Sequence, residues 1–67
     1  MADDTPEPVL HARVAAEAIR QINHLTVSGD GGLDDPCHLS DVLFALAQAA
    51  ERLPQALRQL ARVAERL

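Results

Sequence analysis

An all-α fold is predicted by three observations: helical spacing of apolar residues over 9–27, a Gly/Asp-rich break after it, and leucines recurring every seven residues from Leu39 to Leu67. Together they predict a helical hairpin whose long second helix is kinked near Pro54 and which pairs as a homodimer into a four-helix-type bundle. The alternative is a three-helix bundle with a break at Pro54.

Residues 1–8 (MADDTPEP) combine acids with two prolines and are expected to form a disordered or extended lead-in, with residues 9–67 making a single helical domain. Pro8 is compatible with a first helical turn, where its missing N–H removes no bond.

Over residues 9–27, a rotation of about 100° per residue places Leu10, Val14, Ala15, Ala18, Ile19, Ile22 and Leu25 on one face. Arg13, Glu17, Arg20, Asn23 and His24 fall on the other, and Glu17 can pair with Arg13 or Arg20. His11 lies amid the apolar face and is expected to be a partly covered, hydrogen-bonded histidine.

Ser28-Gly29-Asp30-Gly31-Gly32 ends this helix, with Gly29 as the expected left-handed terminator, and residues 28–35 form a loop. Asp35 as N-cap before Pro36 is a start signal for the second helix; Ser40 is a rival cap.

In the helix expected over 36–67, Leu39, Leu46, Leu53, Leu60 and Leu67 occupy d positions, and Leu43, Ala50, Leu57 and Ala64 the a positions between them. The g positions, Val42, Ala49, Ala56 and Val63, widen the stripe to a g–a–d face. A parallel two-stranded coiled coil usually carries charges at e and g. Here g is wholly apolar and e is Ser40, Ala47, Pro54 and Ala61, which suits a bundle with more than one neighbouring helix. Pro54 removes one backbone bond and clashes with the carbonyl of Ala50, at about 3 kcal/mol. The stripe nevertheless keeps its phase across it, so a kinked continuation is expected over a turn.

A chain of 67 residues with one phenylalanine, no tryptophan or tyrosine and one cysteine has no internal disulfide and little bulk for a core. A second copy is the expected source of further burial, with Leu39, Leu43, Leu46, Leu53, Leu57 and Leu60 as the oligomer interface. Phe44 lies nearly opposite that stripe; it is expected to tuck under the loop or to contact another protein.

Net charge is -4, divided unevenly: residues 1–41 hold eight acids against two arginines, residues 42–67 four arginines against two glutamates. The acidic balance argues against a generic nucleic-acid or membrane binder. Arg58, Arg62 and Arg66, stepping by four along the last helix, form a ridge that can meet phosphates, and a small helical nucleic-acid-binding regulator is the alternative function.

No cofactor and no metal are expected. His24, Cys37 and His38 with Asp34 or Asp35 bracket the loop but lack paired ligand spacing for zinc. A calcium loop starting at Asp30 would have Gly32 third and Asp35 sixth, where an acid and a glycine are required. No nucleophile–base–orienter set or phosphate-binding loop is present, so no enzymatic activity is expected. The acidic Met1-Ala2-Asp3-Asp4 is unlike a secretory signal, and the longest apolar run, Val42 to Ala47, is too short for a membrane span. A cytoplasmic location with reduced Cys37 is expected.

The segments Ala18-Ile19-Arg20-Gln21-Ile22-Asn23-His24-Leu25-Thr26, Ser40-Asp41-Val42 and Arg52-Leu53-Pro54-Gln55-Ala56-Leu57, followed by Leu60-Ala61-Arg62, resemble a group of short helical proteins of actinomycetes that has no established activity. The resemblance covers about residues 12–62 and departs at Val63, where that group often has an aromatic residue. It implies that the Leu53-Pro54 junction is a shared feature, and it transfers no functional residue. The function expected from the residues themselves is a small non-catalytic interaction or oligomerisation module, serving as an adaptor or regulatory subunit.

Overall fold

The computed structural model describes residues 4–67. They form two α-helices, α1 over Glu7–Thr26 and α2 over Pro36–Glu65, with no strand among the described residues. The all-α class is therefore the one the periodicity predicts. The chain divides into two compact units, one ending at Gly32 and one running from Leu33 to Leu67.

In the first unit, α1 begins two residues before the apolar periodicity does. Pro8 sits in its first turn, where a helix has no use for the missing N–H. Pro6 caps the start through its backbone alone: its carbonyl accepts from the N–H of Val9 at 3.1 Å and of Leu10 at 3.4 Å. Of the expected lead-in, residues 1–3 lie outside the described residues, residues 4–6 precede α1, and Glu7 and Pro8 belong to it.

The far end of α1 differs from expectation in its mechanism. Thr26 Oγ1 donates back to the Ile22 carbonyl at 2.8 Å, and Val27 still has right-handed backbone angles. Gly29 does not turn left-handed. Gly31 (φ 61°) and Gly32 (φ 84°) do. Asp30 explains the shift, because its Oδ1 accepts from the Gly32 N–H at 2.9 Å and tightens the chain there instead. Gly31 also passes so close to the helix end that a Cβ on it would lie 3.1 Å from the Leu25 carbonyl oxygen.

The second unit starts as its sequence signal indicates. Asp35 is extended, Pro36 is the first helical residue, and the Asp35 carboxylate accepts from the Cys37 N–H. Asp35 thus prevails over Ser40 as the cap. From there α2 runs unbroken through Pro54, spanning about 45 Å at 1.5 Å per residue. The third helix considered as an alternative is not formed. Continuing forfeits a single backbone hydrogen bond, whereas stopping would free a whole turn of carbonyls with no Gly, Asn, Asp or Ser at Arg52-Leu53 to satisfy them. At the other end a terminal turn replaces the expected helical Arg66 and Leu67, whose N–H groups donate to Val63 and Ala64. Among the described residues, no helix is long and apolar enough to cross a membrane.

Candidate interaction surface

The surface is built by α2's own geometry. With heptad spacing preserved across Pro54, the a, d and g residues stay on one side of a single helix from Leu39 to Val63. None of the described residues is buried. Leu43 is 60% exposed, Leu53 55%, Leu57 58% and Leu60 56%; Leu39 and Val63 are somewhat less exposed. Val42 and Leu46 are half-buried. The six leucines singled out from sequence therefore share one helical face, and five of the six remain exposed. On α1 the corresponding stripe is largely exposed, most at Val14 (67%) and Leu25 (58%), with Ile22 half-buried.

Phe44 projects from the far side of α2 and is 67% exposed, so it is not sheltered as one of the two sequence expectations had it. A benzyl side chain left in water on the face opposite the leucines is a second, smaller apolar feature. His11 is likewise exposed rather than partly covered, since the first turns of α1 leave it facing water.

Arg58, Arg62 and Arg66 are exposed along the outer side of α2. Arg62 and Arg66 border a shallow depression with Gln59, Val63 and Glu65, so a carboxylate lies within the ridge itself. The ion pair found among the described residues is on α1 instead: Arg20 Nη2 lies 2.8 Å from Glu17 Oε1, while Arg20 Nε donates to Glu17 Oε2 at 3.0 Å. Gln21 adds a donor to Oε1 at 2.9 Å. These bonds from Arg20 and then Gln21 hold the Glu17 carboxyl below its ordinary value, and the same contact raises the Arg20 guanidinium. Glu17 thus engages the arginine three residues on; the pairing with Arg13 that the spacing also allowed is not formed.

Cys37 is a free, exposed thiol in the first turn of α2. No group of three or more His, Cys, Asp or Glu side chains that could hold a metal ion occurs among the described residues. Leu33, half-buried, was not singled out within the 28–35 loop; a lone large apolar residue in a Gly/Asp run was the available signal.

No family model matches the chain, and no curated protein or solved structure matches it.

Proposed function

We propose that this chain is a small, non-catalytic self-association module that pairs with a second copy through the g–a–d face of α2, the assembled form serving as an adaptor or regulatory subunit. One observation carries this: a leucine stripe several turns long on which Leu43, Leu53, Leu57 and Leu60 each keep more than half of their surface in water. Fully burying a leucine contributes about 1.5–3 kcal/mol, so covering the exposed half yields about 1 kcal/mol per side chain. Six leucines from each of two copies then give roughly the same magnitude as the cost of association, about 4–15 kcal/mol.

With those terms of equal size, α2 alone would pair weakly. The stripe of α1, from Leu10 to Leu25, supplies the remaining apolar surface, which favours a four-helix-type bundle over a two-stranded coiled coil. The wide apolar g positions of α2 fit the same arrangement, because they suit a helix with more than one neighbour. The arginine ridge favours nucleic acid less, since Glu65 interrupts it and the chain as a whole is acidic.

The test is light scattering or sedimentation of the intact chain combined with replacement of Leu53 and Leu60 by Ala. A dimer that dissociates on those changes supports the proposal. A folded, cooperative monomer indifferent to concentration overturns it.

A further inference from the structure

Resting on the self-association proposed above, we infer that the two copies of α2 run antiparallel, in the single register whose two-fold axis passes midway between Glu51 and Arg52. Two independent features of α2 select this direction.

The first is volume. The d positions are all leucine, while the a positions alternate Leu43, Ala50, Leu57 and Ala64 on one unbroken helix. Parallel copies stack a on a, so Ala50 would face Ala50 and Ala64 would face Ala64, leaving two thin layers between thick ones. Antiparallel copies stack a on d. In the stated register Leu39 meets the other copy's Ala64, Leu43 its Leu60, Leu46 its Leu57, and Ala50 its Leu53. Every alanine then faces a leucine, and large and small side chains interdigitate as a dense core requires. The same register pairs His38 with Glu65, so the two helices overlap over 28 of their 30 residues, more than any register shifted by a heptad allows.

The second is charge. Asp34, Asp35 and Asp41 lie at the start of the second unit, and Arg58, Arg62 and Arg66 near its end, all on the outer surface of the stripe or just before it. Parallel copies would gather both arginine-bearing ends at one end of the pair and both acidic ends at the other, and would set two helix dipoles side by side in the same direction. Antiparallel copies lay the acidic end of each over the basic end of the other, and oppose the dipoles.

Cys37, the sole thiol, makes the direction measurable. In the inferred register the two Cys37 residues lie at opposite ends of the pair, about 44 Å apart along the axis for 29 intervening steps of 1.5 Å. A label at position 51 lies beside the axis whichever way the helices run. Spin labels are therefore placed at Cys37 of the native chain and, separately, at position 51 of a C37S/E51C variant. Distances are read by pulsed dipolar spectroscopy, with the mass of each labelled protein checked by sedimentation. A long separation at 37 with a short one at 51 is expected. Short separations at both sites, with a dimeric mass, overturn the antiparallel direction and leave self-association standing. A monomeric mass with no dipolar coupling at either site overturns self-association itself, and this inference with it.

Discussion

Asp35 Oδ1 accepts the backbone N–H of Cys37 at 2.8 Å, which satisfies one of the donors that every helix leaves open at its start. Because Pro36 has no N–H to offer, this bond and the one from Leu39 N–H to the Asp35 carbonyl define where α2 begins. Replacing Asp35 by Ala should destabilise the protein by about 1 kcal/mol, while Asn should be nearly neutral because its side-chain oxygen can accept the same bond. Urea unfolding monitored by circular dichroism checks this. Equal losses for Ala and Asn would indicate that the carboxylate charge matters more than the cap.

Gly29 and Gly31 stand two residues apart and should respond in opposite ways. Gly31 has φ 61° and lacks room for a Cβ against the Leu25 carbonyl, so Gly31→Ala introduces strain. Gly29 has no positive φ and open space around it, so Gly29→Ala should stabilise by about 0.4–1 kcal/mol through the unfolded chain. The comparison of the two thermal midpoints is decisive: a larger loss at position 29 would contradict the assignment of the turn.

These two sites also mark what was legible in the sequence. The start of α2 could be read because Asp-Pro is a local signal whose chemistry is complete within three residues. The position of the left-handed turn could not, because three glycines in four residues all permit it and the choice is made by Asp30 Oδ1 reaching Gly32. At Pro54 two opposed local costs, a lost hydrogen bond and an unfilled turn, left the course of the chain open until α2 was seen to continue. The leucine face was fully legible, since heptad spacing alone defines it. What covers that face is not, because periodicity specifies a surface and carries no record of its occupant.

Glu17 makes the stability of α1 depend on pH. Its carboxyl lies below its ordinary value because Arg20, and then Gln21, bond to the charged form. A carboxylate depressed in the folded state contributes stability that is complete above its unfolded value and is lost as pH falls through the lowered one. Helicity should therefore decline on acidification within and below the usual carboxylate range, and less so in Glu17→Gln. Superimposable circular dichroism titrations for the two proteins would contradict a role for this pair.

Pro54 leaves the Ala50 carbonyl without its helical donor. Pro54→Ala restores that donor and should raise thermal stability, by up to about 3 kcal/mol if the full cost is expressed. An unchanged or lowered midpoint would mean that the proline's ring, at an e position beside the stripe, contributes packing in the assembled state that alanine cannot replace.

Leu60→Ala tests the leucine face at a single position. Each copy would lose about 1 kcal/mol of association energy, so a pair loses about 2 kcal/mol, roughly thirtyfold in Kd. Gln55→Ala, on the outer side of α2, should leave Kd nearly unchanged. Equal effects from the two changes would remove the leucines from the interface.

The most direct measurement is sedimentation equilibrium of the intact protein over a wide range of concentration. Self-association through α2 predicts a mass approaching twice 7.2 kDa as concentration rises, with helicity increasing in parallel. A constant mass of 7.2 kDa, accompanied by a cooperative and concentration-independent melt, would contradict it.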